Sequence, residues 1–344
     1  MFGEKVGFAI VGYGLAASLH AQALAQLEEA KLVAVVGRDL EKAAEMAGHF
    51  GAEALSLDEA LRREDIRAFI VTTPTGTHLD VVKEIAPHGK HLLVEKPLES
   101  SLQRTDELIR VCDEAEVILG AVFQHRYDDA SLKLKEFVEK GLLGKPIMGS
   151  AYVKWYRPQD YYDARSWRKS VQASGGGALA IQASHSIDLL LWFMGEPAKV
   201  CSFMDTLAHT EVEVEDVAVV SIRFKNGALG SVEASTATYP GFAERLELHF
   251  EKGSAVIEGG KITFLKTFSN EVPDIEKGKS GMSGASDPAH VDIEPFVRML
   301  QDFVSALREG RNPPLDGREG RRAVELIEAV RRSALESRVV ELPL

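Results

Sequence analysis

The strongest indication of the fold is the N-terminal segment Val6-Gly-Phe-Ala-Ile-Val-Gly12-Tyr-Gly14-Leu-Ala-Ala17. Its apolar start has the length of a buried strand, and it runs directly into a glycine-rich turn. In turns of this type a first glycine bends the chain, a second lets the backbone approach a pyrophosphate, and a small third residue lets the next helix pack on the strand. The pattern predicts a dinucleotide site that includes Gly12, Gly14, Leu15 and Ala17. A glycine turn with a structural role alone is the alternative.

Strand and helix patterns alternate from residue 1 to residue 122. Short runs rich in Val, Ile and Leu are typical of strands covered on both faces, and they lie at 6–11, 32–36, 68–72, 91–94 and 117–122. Helix patterns separate them, at 16–28, 39–50, 58–63, 77–88 and 101–115. We therefore predict an α/β chain whose N-terminal domain, residues 1–122, is a Rossmann-type, doubly wound parallel sheet.

The pattern changes from residue 123 onward. Longer β-rich segments lie at 147–156, 198–208, 216–224, 228–237, 244–251 and 254–265, with helix patterns at 130–140, 181–194, 293–309 and 318–336. Asn226-Gly227 between two of the β segments is a strong hairpin signal. We predict a second, α+β domain over residues 123–344, built on a large, mostly antiparallel open sheet.

Composition excludes several classes of protein. A net charge of −12 argues against a nucleic-acid surface, because such surfaces need clustered Lys and Arg. No apolar run approaches the ~20 residues that span a bilayer, and the N-terminus lacks a signal-peptide pattern. Cys112 and Cys201 have no metal-ligand spacing, so both are expected to be buried reduced thiols. We expect a cytoplasmic protein that binds neither nucleic acid nor membrane and holds no metal.

The residues at the end of the second strand indicate whether NAD or NADP is bound. NAD sites generally have an acidic residue at this point to hold the ribose hydroxyls. This chain has Gly37-Arg38-Asp39 instead. Arg38 offers a guanidinium for a 2′-phosphate, which favours NADP over NAD. Two alternatives remain open: Arg38 is a solvated loop residue and Asp39 only caps the next helix, or Asp39 reaches the ribose itself.

The ends of the next two strands supply polar side chains. In open α/β sheets ligands bind at the carboxyl ends of the strands. Thr73, Pro74 and His78 follow one strand, and Glu95-Lys96-Pro97 follow the next. All six are predicted to line the cofactor crevice, with Thr75 or Thr77 capping a helix. The Lys96 ammonium would stabilise a developing alkoxide or assist proton transfer; an ordinary surface lysine is the alternative.

A second set of polar residues lies around three consecutive glycines. Gly175-Gly-Gly177 leads into a helix pattern that carries Gln182, His185 and Asp188 at a spacing of three, and hence on one face. Polar residues on a mostly apolar helix are costly to bury without partners, and a bound substrate would supply them. His185 is the candidate general base. Trp167 and Arg168, before the glycines, are assigned to the cofactor site.

With these residues identified, the chain resembles the Gfo/Idh/MocA oxidoreductases, the family of glucose–fructose oxidoreductases and inositol dehydrogenases. The resemblance covers nearly the full length, and it rests on GYGLAA at 12–17, TTPTGTH at 72–78, GKHLLVEKPL at 89–98, GGGALAIQASHSIDLLLWFMG at 175–195 and LREGRNPPLDGREGRRAVELIEAV at 307–330. It implies hydride transfer between a nicotinamide and a hydroxyl carbon of a sugar, cyclitol or sugar derivative. Lys96 and His185 fall on the family's active-site lysine and histidine. The family's open C-terminal sheet further implies a homodimer or homotetramer.

One position departs from the family pattern. Many members carry an acid four residues before the active-site histidine, where this chain has Ile181. VKWYRPQDYYDARSWRKS at 153–170 is more similar to the branch that contains nucleotide-sugar 3-dehydrogenases. Candidate contacts for a hydroxylated or anionic substrate are Arg126, Arg157, Tyr161, Gln182, His185, Asp188 and His290.

These observations favour an NAD(P)-dependent dehydrogenase or reductase that acts on a carbohydrate-like alcohol, with Lys96 and His185 at the reacting oxygen. Two alternatives stay open. One is a nucleotide-binding sensor that has lost turnover, and the other is a glycoside hydrolase that uses bound NAD for a transient oxidation.

Overall fold

A computed structural model describes residues 5–268 and 292–344 of the chain. These residues form two compact units. The first consists of residues 5–124 and 293–321, and the second of residues 125–268, 292 and 322–344. No helix in the described ranges is long and apolar enough to cross a bilayer.

The first unit contains a six-stranded parallel sheet with the order β3-β2-β1-β4-β5-β6. This order places a topological switch between β1 and β4, where dinucleotides bind in such sheets. The prediction of a parallel doubly wound sheet is confirmed. The strands are β1 Val6–Val11, β2 Ala30–Val36, β3 Glu53–Leu55, β4 Ala68–Val71, β5 His91–Val94 and β6 Leu119–Ala121, and the helices among them are α1 Leu15–Ala25, α2 Leu40–Phe50, α3 Leu57–Leu61, α4 His78–Ile85 and α5 Leu102–Glu114.

The first unit is completed by a helix from near the end of the chain. This helix, named α10 from its place in the chain order, spans Glu294–Glu309. Its Phe303 ring lies 6.3 Å from the ring of Phe8 in β1, and its Phe296 ring lies 5.2 Å from that of His20 in α1. The sequence analysis grouped this helix with the second domain. An amphipathic pattern shows that a helix has an apolar face, but it does not show which sheet that face covers.

The second unit is built on an eight-stranded sheet with the order β13-β12-β11-β7-β10-β9-β8-β14. Every neighbouring pair is antiparallel except β7 and β10, which are parallel. The predicted mostly antiparallel sheet is thus confirmed. Its strands are β7 Pro146–Lys154, β8 Pro197–Asp205, β9 Val217–Phe224, β10 Leu229–Ser235, β11 Arg245–Phe250, β12 Gly253–Glu258, β13 Lys261–Thr267 and β14 Val340–Glu341. The remaining helices are α6 Asp129–Glu139, α7 Gln159–Asp163, α8 Val171–Ser174, α9 Ser184–Met194 and α11 Gly317–Glu336, whose residues up to 321 belong to the first unit.

Two turns of this sheet test the sequence patterns. Asn226-Gly227 joins β9 to β10 as an antiparallel hairpin, as predicted. The β-rich segment predicted over 254–265 contains two strands, because Gly259 and Gly260 adopt φ values of 55° and 74° and reverse the chain. A left-handed pair of glycines is the usual means of a tight reversal. The segment is therefore the hairpin of β12 and β13.

The sheet has one buried face and one exposed face. In β9, Ala218, Val220 and Ile222 are buried, whereas Val219 between them is exposed. Phe203 in the neighbouring strand β8 lies opposite Val219 in the ladder and is 79% exposed. The outward side therefore carries large apolar side chains.

The two cysteines lie in different environments. Cys112 is buried, as predicted, and burial raises the pKa of its thiol to about 12. Cys201 is exposed, so the prediction of a second buried thiol is wrong. It lies in β8 between the buried residues Val200 and Ser202, and strand alternation turns it to the outward face.

Candidate active site

The glycine turn after β1 is shaped to approach a ligand. Gly12 has φ 120°, and a Cβ there would lie 2.5 Å from Thr72 Oγ1, so only glycine fits. A Cβ on Gly14 would meet no protein atom within 4 Å. Gly14 begins α1 without a side-chain cap, and the first turn of α1 contains no acid. The first amides of α1 and the positive end of its dipole are thus available to a pyrophosphate, with Leu15 exposed and Ala17 buried beside them.

Gly14→Ala is expected to weaken dinucleotide binding about tenfold or more while lowering Tm by only a few degrees. The added methyl would clash with nothing in the protein, but it would occupy the path of the pyrophosphate. Fluorescence titration gives the Kd, and thermal unfolding gives Tm. Gly48→Ala, a helix position with equally open space around it, serves as the control. An unchanged Kd in Gly14→Ala would exclude this turn as the phosphate site.

The residues after β2 show which contacts Asp39 makes. The Asp39 carboxylate accepts a hydrogen bond from the Lys42 amide at 3.2 Å and pairs with Lys42 Nζ at 3.0 Å. These contacts lower the pKa of Asp39. Asp39 therefore caps α2, as one reading predicted. Arg38 is exposed and pairs with none of the residues that the structure describes. The ring of Tyr13 lies against Gly37, whose Cβ would fall 2.5 Å from Tyr13 Cε1.

The loop after β4 is held by His78. This histidine is buried, with Nε2 2.9 Å from the Thr73 carbonyl oxygen and Nδ1 3.2 Å from the Leu98 carbonyl oxygen. It thus links the loops after β4 and β5, and it holds Thr73, another predicted cofactor contact, in place. Pro74 is exposed. The predicted helix cap by Thr75 or Thr77 is wrong, because the Thr77 hydroxyl lies 2.7 Å from the Pro74 carbonyl oxygen instead.

Lys96 follows β5 and belongs to a chain of hydrogen bonds. His20 Nε2 lies 3.0 Å from Glu95 Oε1, and Glu95 Oε2 accepts the Lys96 amide at 3.0 Å. Burial lowers the pKa of the Lys96 amine, and the Glu95 carboxylate opposes this effect. Burial alone would raise the pKa of Glu95, but the hydrogen bond from His20 and the charge of Lys96 outweigh it, so this pKa is lowered. The Lys96–Pro97 bond is cis.

His20 was missed in the sequence analysis. It is fully buried in α1, where it is a polar residue within the apolar run LAASLHAQALA. A histidine in such a surrounding needs a partner. That signal was present in the sequence, but only the fold shows that the partner is Glu95.

The triple glycine in the second unit is fixed by a buried carboxylate. Glu215 accepts the Gly177 amide at 3.0 Å and the Leu179 amide at 2.9 Å. A Cβ on Gly177 would lie 1.9 Å from the Glu215 carbonyl oxygen. Burial raises the pKa of Glu215, and these amides oppose the rise. Glu215 was also missed, because nothing in its local sequence connects it to glycines almost forty residues earlier.

The helix predicted over 181–194 is two elements. A π-helical turn spans Ala178–Gln182, and α9 begins after Ala183. Gln182 therefore lies outside α9, and its Nε2 donates to the Tyr161 hydroxyl at 2.9 Å. The prediction that Gln182 shares one helix face with His185 and Asp188 is corrected by this break. Single π-turns of this kind are frequent at functional sites.

Two of the predicted substrate contacts bind each other. Arg126 Nε and Nη2 donate to the two carboxylate oxygens of Asp188 at 2.8 and 2.6 Å. The side chains are only 7% and 2% exposed, and the Arg126 guanidinium also lies 5.4 Å from the ring centre of Trp192. This pair fastens the turn before α6 to α9, so its role in the fold is structural.

The histidine of α9 lies against a second histidine. The rings of His185 and His125 meet edge to face with their centroids 4.7 Å apart. His125 Nδ1 is 2.8 Å from Asp128 Oδ2. Neither His125 nor Asp128 belongs to a motif that predicts a site residue.

Two arginines surround Tyr161. The Arg168 guanidinium carbon is 3.9 Å from the Tyr161 ring centre, and that of Arg157 is 5.6 Å away on the same ring. Burial lowers the pKa of both arginines. Trp167 lies beside Arg168 at 5.6 Å. The cluster combines positive charge, aromatic faces and the Gln182–Tyr161 hydrogen bond, a combination suited to an anionic or hydroxylated ligand. His290, the remaining predicted contact, lies outside the described residues.

Comparison with known proteins gives consistent results for both parts of the chain. Residues 6–123 match a family model described as an oxidoreductase family with an NAD-binding Rossmann fold. Residues 131–256 match a GFO/IDH/MocA C-terminal domain.

Three relatives illustrate the range of similar proteins. Myo-inositol 2-dehydrogenase of Thermotoga maritima is 29% identical over 342 residues, covering 97% of each chain. An NAD⁺-dependent scyllo-inositol 2-dehydrogenase of Bacillus subtilis is 30% identical, covering 90% of this chain and 88% of its own. The WlbA dehydrogenase of Bordetella pertussis, solved with NADH and UDP-GlcNAcA, superposes with a TM-score of 0.89 and 30% identity over 100% of this chain and 99% of its own.

Proposed function

Since this chain belongs to the GFO/IDH/MocA family of NAD(P)-dependent oxidoreductases, we propose that it oxidises or reduces one hydroxyl-bearing carbon of a nucleotide sugar with an acidic sugar ring. The observation that carries the catalytic part is the position of Lys96 directly after β5, where its backbone amide donates to Glu95 and Glu95 in turn binds His20. Related dehydrogenases act on inositols, and the WlbA neighbour is a complex with UDP-GlcNAcA.

Each predicted site residue has a proposed role in the reaction. When bound, the nicotinamide supplies the hydride acceptor or donor. Gly12, Gly14 and the amides of α1 hold its pyrophosphate. Lys96 hydrogen-bonds the substrate oxygen and stabilises negative charge on it, while His185 takes the hydroxyl proton during oxidation.

The acidic substrate is proposed from the arginine cluster. Arg157 and Arg168 both lie near the half-buried Tyr161 ring, and two guanidinium groups at one place attract an anionic substrate group. A panel of inositols, neutral sugars, UDP-sugars and UDP-sugar acids, followed at 340 nm with either nicotinamide cofactor, tests the assignment. We expect turnover with a UDP-sugar acid and little with its neutral counterpart. Turnover of free inositols alone would overturn it, and tight cofactor binding without any turnover would support the sensor or hydrolase reading.

For the cofactor we propose NADP(H), with Arg38 at the 2′-phosphate. Gly37 offers no carboxylate to the ribose, and Asp39 is engaged in the cap of α2. Arg38→Ala is expected to raise the Kd of NADPH about tenfold and to change the Kd of NADH less than about twofold. The WlbA neighbour holds NADH, so NAD is the competing assignment. An equal rise in the Kd of both cofactors in Arg38→Ala, or no rise in the Kd of NADPH, would favour NAD.

We also propose that two copies associate through the outward face of the second sheet. Phe203, Val219, Leu229 and Met148 give this face an exposed apolar surface, and the neighbouring Cys201 lies on the same side. Phe203→Lys is expected to convert the dimer to a monomer in sedimentation velocity and to speed the reaction of Cys201 with a thiol reagent. Cys112 is buried and will not interfere. Leu335→Lys, at an exposed apolar residue of α11, is the control. A wild-type monomer with a fully reactive Cys201 would refute the interface.

A further inference from the structure

An acidic residue stands behind the histidine that contacts His185. Asp128 Oδ2 is 2.8 Å from His125 Nδ1, and the His125 ring packs edge to face on His185 at 4.7 Å between centroids. A carboxylate at Nδ1 selects the His125 tautomer whose proton lies on that nitrogen. The three side chains therefore form a row from Asp128 through His125 to His185.

The position of Asp128 in the chain makes this contact notable. Asp128 is the residue at which α6 begins, and an aspartate there ordinarily accepts an amide of the first helical turn. Its side chain makes no such capping hydrogen bond. The carboxylate instead turns to His125 and is 16% exposed. The contact thus takes the place of a stabilising cap.

The neighbouring charged groups Asp188, Lys135 and Asp129 either bind elsewhere or are exposed. Asp188, one turn further along α9, is bound through both oxygens to Arg126. Residue 181, one turn earlier, is Ile. Lys135 of α6 lies over the Trp192 ring of α9, and Asp129 in the first turn of α6 is exposed. Asp128, in contrast, binds a ring that contacts His185.

We propose that Asp128 and His125 are positioning residues for His185, orienting its ring and favouring its neutral form, the form that can accept a proton. Two imidazoles in contact are not readily protonated together, because like charges repel. The Asp128 carboxylate lies 2.8 Å from His125 and favours the proton on that ring, so His185 stays neutral. This inference rests on the proposed function, in which His185 takes the substrate proton.

Histidine NMR titration tests the proposal without catalysis. The protein is labelled at histidine Cε1, and the His125 and His185 signals are assigned by their loss in His125→Gln and His185→Gln. Asp128→Asn is expected to move the titration midpoint of His185 up by about half a pH unit or more, because His125 then competes less for the proton. Asparagine is an equally good residue at a helix start, so Tm should change little. Asp128→Glu should retain most of the wild-type midpoint.

Asp129→Asn is the matched control, since it removes the adjacent carboxylate from the same helix turn. It should move the His185 midpoint much less than Asp128→Asn. Equal effects of the two substitutions, or an unmoved midpoint in Asp128→Asn, would overturn the proposal.

The pH dependence of turnover gives a second readout. The acidic limb of kcat/KM in the oxidation direction should move to higher pH in Asp128→Asn, by the same amount as the NMR midpoint. If His185→Ala leaves turnover intact, the assigned role of His185 fails, while the NMR midpoints still report whether Asp128 acts on His185. A fall in kcat with an unmoved limb and an unmoved midpoint would show that His125 and Asp128 support the fold only.

Discussion

Lys96→Met is expected to lower kcat/KM by about 10³-fold or more, while the Kd of the cofactor changes only a few-fold. Methionine fills a similar volume but carries neither the charge nor the donors of the ammonium. Burial lowers the pKa of the Lys96 amine more than the Glu95 carboxylate raises it, so this pKa lies below its ordinary value. The measurement is steady-state kinetics with the best substrate of the panel, together with cofactor titration.

Lys90→Met provides the control for the loss of a desolvated lysine. Lys90 lies just before β5, whereas Lys96 lies just after it. The Lys90 ammonium donates to the carbonyl oxygens of Arg63 and Ile66 at 2.8 and 2.7 Å. Its substitution should lower stability and leave kcat/KM of the folded enzyme nearly unchanged. A comparable loss of kcat/KM in both variants would mean that Lys96 supports the fold and not the reaction.

Arg126→Met is expected to cost about 3–5 kcal/mol in the free energy of unfolding of the second unit, because it leaves the Asp188 carboxylate buried without its guanidinium. Urea unfolding followed by tryptophan fluorescence is the suitable measurement. All three tryptophans, Trp155, Trp167 and Trp192, belong to the second unit, so the signal reports on that unit alone.

Two further variants separate the pair from a general effect of charge. Arg126→Met combined with Asp188→Leu removes both charges and should recover much of the lost stability. Glu136→Gln breaks an exposed ion pair with Lys140 at the end of α6, in the same unit, and should cost no more than about 0.5 kcal/mol. If the double variant is as unstable as Arg126→Met, packing around Trp192 and not the buried charge explains the loss.

Periodicity and turn chemistry predicted most of the fold. The run from Val6 to Ala17 was sufficient for the first strand, turn and helix, because each step of that unit has a local signal. Asn226-Gly227 likewise identified its hairpin. The break between β12 and β13 was overlooked although Gly259-Gly260 is a local signal of the same kind. The position of α10 had no local signal, because it depends on a contact between Phe303 and Phe8 across most of the chain.

The sequence predicted the main residues of the candidate site better than the side chains that contact them. Lys96 and His185 were recognisable from motifs, but their supports His20, Glu215, His125 and Asp128 were not. Arg126 and Asp188 illustrate the reason. Each is a polar residue that needs a partner when it is buried. The sequence does not show whether that partner is a ligand or a side chain about sixty residues away.

The late return of α10 to the first unit affects how the protein is made. On the ribosome, residues 5–124 emerge first, yet Phe8 and His20 stay without Phe303 and Phe296 until the far end of the chain appears. At about 5–20 residues per second, translation of the intervening segment takes on the order of 10–30 s. The nascent parallel sheet must spend that interval with one apolar flank uncovered, where a chaperone can bind. A chain truncated after residue 124 would retain that flank permanently and is expected to aggregate.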